Sequence, residues 1–447
     1  MKDVETYVGQ KLIQQGLNYL ARDPRKNLGA LMDWAERLAR HERHKEQIRL
    51  ARTMLGDPDS NWYRLADRVL REVHPKNRDC LVTNFFVNSW FLGIPRQQEV
   101  SDREGFNVPY TILIDPTARC NLRCLGCWAG DYNQRDELDL ATLDRILGEA
   151  RDLGIYFIVY SGGEPLLRMQ DLLVLARKYD DMSFHAYTNG TLVDEEMVRG
   201  LAEVGNFTLA FSVEGFRETT DFRRGRGVFD RVMRSMDRMR EAGLIFGFSS
   251  TYTRQNTEEL ASDAFIDLMI DKGCLFGWLF TYVPVGKDVD TEFMATPAQR
   301  EAMFRKLQEW RRTKPIAVFD FWNDGELVRG CIAGGRHYFH INAAGEIEPC
   351  AFIHYANGNI RDMSVAEALR SPIFQCYQKR QPFNTNMLRP CPLIDNPLAL
   401  AEIVRESGAR PTQVHETDAI KTAEVLLDYA ERWGERAENL QKGMPNG

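Results

Sequence analysis

The 447-residue chain has no surplus of positive charge, no long apolar run and neither of the common glycine-rich phosphate loops. Lys and Arg number 57 against 64 Asp and Glu, a net charge of −7, which argues against a nucleic-acid partner. No apolar run approaches the eighteen or so residues of a membrane span, and the amino terminus lacks the apolar stretch of a secretory signal, so a cytoplasmic protein is expected. Neither G-x-G-x-x-G nor G-x-x-x-x-G-K-[ST] follows any strand-like segment, which weakens dinucleotide and nucleoside-triphosphate readings. Cysteine is scarce and odd in number, nine in all. Its clustering suits metal ligands in a reducing compartment better than a disulfide framework.

Three of those thiols stand in Cys120-Asn-Leu-Arg-Cys124-Leu-Gly-Cys127-Trp128, directly after a β-branched run. Three thiolates on one short loop can each reach a different iron of a cubane cluster. The fourth iron is then open to a small molecule, to which it can pass an electron. Zinc is the rival metal, but a structural zinc site closes four N/S ligands and the local count stops at three. From residue 110 onward, strand-like segments at 110–114, 155–160, 184–187, 207–211, 245–251 and 278–283 alternate with helical patterns at 140–153, 169–178, 194–204, 229–241 and 257–272. These are six β/α units around a parallel sheet buried on both faces. Periodicity alone leaves an open doubly wound sheet and a barrel equally available. Gly162-Gly163-Glu164-Pro165, Thr188-Asn189-Gly190 and Ser212-Val213-Glu214-Gly215 each close one of the strands, where loops converge on a site in such folds.

Before the sheet, residues 1–105 read as helices. Val4, Val8, Leu12, Leu17 and Leu20 recur at helical spacing, as do Leu28, Leu31 and Trp34, then Trp62, Leu65, Val69 and Val73. Asp57-Pro58-Asp59-Ser60 reads as a turn and helix start. This part carries 18 Lys+Arg against 15 Asp+Glu. Arg37, Arg40, Lys45, Arg49 and Arg52 form either the solvated face of a bundle or a basic surface for an anionic membrane. The apolar run 85–92 is a buried element or the lining of a greasy substrate channel. After residue 285 the β/α pattern fades. Cys331 and Cys350 bracket a hairpin-like stretch at 338–349, Cys391 lies in the rigid turn Arg-Pro-Cys-Pro, and Cys376 falls on an amphipathic helical segment. Cys80 and Cys274 read as core thiols, and helix returns after Pro397.

The cysteine loop and the three strand-end motifs resemble, in order and spacing, the radical S-adenosylmethionine (radical SAM) enzymes. The resemblance covers roughly residues 110–395. It implies an α/β protein with a partial (β/α)6 barrel at 106–290, preceded by the helical module at 1–105 and followed by an auxiliary domain at 291–397 and a helical tail at 398–447. It implies a 4Fe-4S cluster on Cys120, Cys124 and Cys127, with S-adenosyl-L-methionine (SAM) chelated at the open iron. Trp128, Gly162, Gly163, Glu164, Asn189, Ser212, Glu214 and Arg224 are the implied SAM contacts. Glu164 would accept from the ammonium group, and Arg224, with Arg223 as its rival, would lie near the carboxylate. One departure stands out: many members carry an aromatic residue before the third cysteine, where this chain has Gly126 and places Trp128 after it.

The spacing Cys-x13-Gly-x4-Cys from Cys331 to Cys350 resembles the start of a SPASM or twitch extension. This implies one auxiliary 4Fe-4S cluster on Cys331, Cys350 and Cys391, with Cys376 as fourth ligand and His337 and His340 as nearby substitutes. The family chemistry is reductive cleavage of SAM to a 5'-deoxyadenosyl radical that abstracts hydrogen from an unactivated C–H bond, fed by a donor such as flavodoxin or ferredoxin. The basic helices and the 85–92 run favour an apolar or lipid-like substrate over a peptide or other small molecule. A non-catalytic iron-sulfur carrier is the reading of another class.

Overall fold

Six short, largely apolar strands lie side by side in chain order. The computed structural model describes residues 15, 16, 19, 20, 22–38, 42–415 and 418–443; Val4, Val8, Leu12, Leu17 and Arg40 lie outside them. Strands β1 (Thr111–Ile114), β2 (Phe157–Tyr160), β3 (Ser183–Thr188), β4 (Phe207–Ser212), β5 (Phe246–Tyr252) and β6 (Phe276–Thr281) pair in parallel with their sequence neighbours. Helices Leu140–Asp152, Met169–Lys178, Glu195–Val204 and Val228–Glu241 cover the outer face, where Ile112, Ile158, Tyr160, Phe184, Leu209, Phe211 and Phe248 are fully buried. The helical pattern at 257–272 divides into Thr257–Leu260 and Asp263–Asp271, because the Ser262 hydroxyl caps a new start by accepting from the Phe265 amide.

Three strands beyond the sixth unit extend the sheet. After the helix Pro297–Thr313, β7 (Ala317–Asp320) pairs with β6. On the opposite edge β8 (Tyr338–Ile341) pairs in parallel with β1 and turns back antiparallel into β9 (Ile347–Glu348). The order is therefore β7-β6-β5-β4-β3-β2-β1-β8-β9, an unclosed partial barrel whose two edges are both made by residues after 290.

The preceding helices close the amino-terminal end of the sheet. Arg68 donates to the carbonyls of Cys274 and Pro315, Asn84 to those of Asp180 and Met182, and Gln97 to that of Gly154. Each acceptor lies within a few residues of the start of a strand, so side chains satisfy backbone groups that the sheet leaves unpaired. The apolar run 85–92 lies within a π-helix, Leu81–Gly93. Its Phe85 ring packs on Tyr110 and Phe157, with centroids 6.3 and 5.2 Å away, while Phe86, Trp90 and Leu92 stay exposed. This run floors the barrel at the end opposite the cysteine loop, and so does not line a channel at the catalytic end. Three of the basic side chains on these helices are matched by acids: Arg49 with Glu36, Arg52 with Asp33 and Glu36, and Lys45 with Glu42. Among the described residues no helix is long and apolar enough to cross a membrane.

Candidate active site

The loop that leaves β1 carries Cys120, Cys124 and Cys127, all unpaired and none in a disulfide. Two glycines make its position possible. A Cβ on Gly163 would lie 2.1 Å from the Arg119 carbonyl oxygen and 2.5 Å from that of Ala118. Without one, the Gly163 and Glu164 amides donate straight to the carbonyls of Thr117 and Arg119, at 3.0 and 2.8 Å. Gly162, at φ +98°, turns the chain into this contact against Asp115. The Gly-Gly-Glu-Pro motif therefore clamps the cysteine loop by backbone pairing. The departure at Gly126 has a similar cause: φ is +60°, and a Cβ there would sit 2.7 Å from the Tyr282 ring.

Glu164 is buried, and its carboxylate accepts from Thr188 Oγ1 (2.7 Å), the Asn189 amide (2.8 Å) and the Leu166 amide (3.1 Å). Burial pushes its pKa up to about 7, and those donors hold it from rising further. Glu164 thus ties the Thr-Asn-Gly turn to the Gly-Gly-Glu-Pro turn. Asn189 in turn reaches Asn121 Oδ1 at 2.8 Å and lies 3.8 Å from Cys120 Sγ.

On β4, Ser212 meets Ser249 at 3.3 Å, while Glu214 is fully enclosed and gathers both candidate arginines. Arg223 Nη1 donates at 2.6 Å and Arg224 Nε at 2.8 Å, and the Thr251 amide donates to the other oxygen at 2.9 Å. Burial alone would raise the Glu214 carboxyl, but the two guanidinium groups outweigh it and hold it below the usual range. Arg224 also lies 4.0 Å from Cys124 Sγ. Arg223, which motif reading ranked second, grips the loop itself, donating through Nε to the Leu125 carbonyl at 3.2 Å while its own carbonyl accepts from the Leu125 amide. Both arginines belong to the site, and nothing in the linear sequence shows that they share one carboxylate.

The three thiols influence one another. Burial pushes Cys120 up to about 11, with Glu164, Cys124 and Cys127 adding to the rise and the Leu122 amide, 3.4 Å from Sγ, opposing it. Cys127 is raised by burial and pulled back by Arg223 and Arg224. A half-buried trio of thiols with amide and guanidinium donors nearby is a donor set for a thiophilic metal cluster.

A second trio forms in the carboxy-terminal part. Cys331, Cys350 and Cys391 line one cavity with Phe321, Trp322 and Tyr377. Burial pushes Cys350 up to about 12 and Cys391 up to about 11. Tyr338 Oη donates to Cys350 Sγ at 2.7 Å, Trp322 donates to the Cys391 thiol, and the Phe352 and Leu393 amides lie 3.5 and 3.4 Å from Cys350 and Cys391 Sγ. Hydrogen bonds of this kind stabilise thiolate ligands, so the residues fit an iron-sulfur cluster. Cys376 does not join them. It lies on the helix Pro372–Arg380 with its thiol bonded to Glu406, because adjacent helical residues point about 100° apart and the neighbouring Tyr377 takes the inward direction.

His337 and His340 also stay out of this cavity. His340 is enclosed between Asp115 (Nε2 to Oδ2, 2.9 Å) and Glu348 (Nδ1 to Oε2, 2.7 Å). Burial would lower its pKa, but the two carboxylates reverse this and raise it to about 10. Trp128 bridges the two cysteine sites. Its indole packs on His340, Phe352 and His354, with centroids at 5.7, 5.8 and 6.3 Å. Of the remaining thiols, Cys274 is fully buried and Cys80 half-buried.

Residues 114–264 match the radical SAM superfamily, and residues 331–392 match the SPASM iron-sulfur cluster-binding domain. The AdoMet-dependent heme synthase of Methanosarcina barkeri is 26% identical over 291 residues, covering 58% of this chain and 82% of the relative. The PqqA peptide cyclase of a Methylobacterium species is 26% identical over 295 residues, covering 60% and 75%. In architecture the chain is similar to Streptococcus suis SuiB bound to its precursor peptide SuiA, with a TM-score of 0.55 at 16% identity over 77% of this chain and 84% of the other. The strand-end motifs, the two convergent thiol trios and the two matched regions together establish that this chain is a radical SAM enzyme with a carboxy-terminal SPASM domain, binding SAM and 4Fe-4S clusters.

Proposed function

We propose that the enzyme functionalises an unactivated C–H bond of a peptide, with an apolar or aromatic side chain of that peptide seated inside the barrel. The observation that carries this reading is the inner wall of β6 and β7. Phe276, Trp278 and Phe280 keep partial exposure while the alternate Gly277, Leu279 and Thr281 are buried, and Phe319 on β7 is 37% exposed. These rings form a continuous surface: Trp278 lies 4.8 Å from Phe319, Phe280 lies 5.6 Å from Phe321, and Phe280 lies 6.5 Å from Phe352 beside the second thiol trio. On the same inner face, Ala210, Gly247 and Ser249 of the neighbouring β4 and β5 are small and buried, and the Phe276 ring lies over Gly247, where a Cβ would meet it at 2.4 Å. An apolar group packed on the Phe280 end of this wall lies beside Phe352, which lines the second cysteine site. Support from relatives comes from the peptide cyclase and from SuiB, which is bound to a precursor peptide.

When bound, the first cluster and SAM supply reductive cleavage to the 5'-deoxyadenosyl radical. The protein's own task is positional. Cys120, Cys124 and Cys127 hold the metal, Glu214 with Arg223 and Arg224 locks their loop, and the aromatic wall excludes water and fixes which hydrogen is presented. An external flavodoxin- or ferredoxin-type donor is proposed as the electron source. The lipid-like alternative loses the support of the 85–92 run, which floors the barrel at the other end. Anaerobic incubation with SAM, dithionite and a peptide encoded beside the gene tests the proposal. Peptide-dependent 5'-deoxyadenosine and a mass change in the peptide are expected, with neither from Cys124→Ala. Stimulation by extracted lipid and by no peptide would overturn it.

A further inference from the structure

The second thiol trio has three cysteines and one unused group. The Tyr377 hydroxyl is completely buried, lines the same cavity as Cys331, Cys350 and Cys391, and has no hydrogen-bond partner. A buried hydroxyl left without a partner is costly and calls for an explanation. The other polar aromatic groups there are already committed, Tyr338 to Cys350 and Trp322 to Cys391.

The Tyr377 ring is also held in place by neighbouring backbone. Gly334 has φ +66°, and a Cβ there would lie 2.4 Å from Tyr377 Cδ1 and 2.6 Å from Cγ. The turn that follows Cys331 therefore closes on the ring as only glycine permits. The Gly334 amide bonds to the carbonyl of Pro349, the residue before Cys350, at 2.9 Å. Phe383 meets the ring edge-on at 5.4 Å. The backbone bearing two of the thiols is thus wrapped around this one side chain. Cys376, the remaining thiol on that helix, turns toward Glu406.

We propose that Tyr377 is the fourth protein ligand of the auxiliary cluster, bound through its phenolate oxygen. The proposal rests on the assignment of that cluster to Cys331, Cys350 and Cys391. As the Fe–O bond forms, the phenol releases its proton to solvent, as each thiol does on forming its Fe–S bond, and no electron is transferred. The auxiliary iron is then closed to outside ligands, in contrast to the open iron of the first cluster.

The test uses the full chain with Cys120, Cys124 and Cys127 all changed to Ala, so that only the auxiliary cluster is loaded under anaerobic conditions. Iron and sulfide at about four each per chain establish the cluster itself; their absence would overturn the cluster assignment and the ligand together. Given the cluster, phenolate modes in the resonance Raman spectrum and a reduced-state electron paramagnetic resonance signal unmoved by cyanide are expected. Tyr377→Phe, which keeps the ring against Gly334 and Phe383, loses the phenolate modes and acquires a cyanide-dependent signal, whereas Cys376→Ala changes neither. A parent without phenolate modes, or one whose signal moves with cyanide as much as that of Tyr377→Phe, would overturn the ligand while leaving the cluster assignment intact.

Discussion

Arg300 and Asp395 join the barrel to the second cysteine site, and breaking this pair has a calculable cost. Arg300, on the helix Pro297–Thr313, is fully buried. It donates to Asp395 Oδ1 at 2.6 Å and to Asn323 Oδ1 at 3.0 Å, and its guanidinium lies 4.1 Å from the Trp433 ring of the helix Ala419–Lys442. Asp395 Oδ2 accepts from the Cys391 amide at 3.0 Å. Arg300→Met keeps most of the stem volume but leaves a buried carboxylate unpaired, which costs about 3–5 kcal/mol. Loss of the cation–π contact adds roughly 0.5–2 kcal/mol. Denaturant unfolding of the apoprotein should therefore show a loss near 4 kcal/mol, taken from the lower part of those ranges. Reconstitution should lose auxiliary iron first, because the turn bearing Cys391 is anchored by the stranded aspartate. Arg300→Met combined with Asp395→Leu removes both charges and should recover most of the stability. A single variant within about 0.5 kcal/mol of the parent, or a double variant no better than the single, would refute this account.

Gly163→Ala forces a Cβ against two carbonyl oxygens of the cysteine loop and should cost roughly 1–3 kcal/mol, with a fall in iron bound at the first site read by metal analysis. His340, raised to about 10 from an unfolded value near 6.5, contributes stability that is fully present below about pH 6.5 and is lost as pH rises through 10. The melting temperature of the apoprotein should decline across that window, and His340→Gln should flatten the decline; an unchanged slope would exclude the carboxylate clamp. Cys391→Ala should abolish auxiliary iron and Cys376→Ala should leave it intact, as measured by iron content in the variant lacking the first cluster's cysteines.

Much of the barrel was legible because each of its strands is a continuous apolar run between helices with clear polar faces. All six expected strands agree with the structure to within two residues at either end. The sheet's outer members were harder to read. β7 is four residues of Ala-Val-Phe-Asp after a long helix, and β8 carries a buried histidine whose place beside β1 depends on Asp115, more than two hundred residues away. Within the site, spacing found the cysteines and glycine turns, since both are backbone requirements. It could not find the convergence of Arg223 and Arg224 on Glu214, nor the exchange of Cys376 for Tyr377 at the inward position. Each of these depends on the direction of a side chain, which tertiary packing decides. The 85–92 run misled because hydrophobicity records burial without recording which end of a barrel is being covered.

The pairing of β1 with β8 matches Thr111 to Tyr338 and Leu113 to His340. One strand runs on into the first cysteine loop, and the other carries Tyr338, which touches Cys350. The two cysteine sites are thus tied to one pair of hydrogen-bonded strands. A shift of β8 along β1 would carry Tyr338, and with it the Cys350 contact, relative to the first cysteine loop.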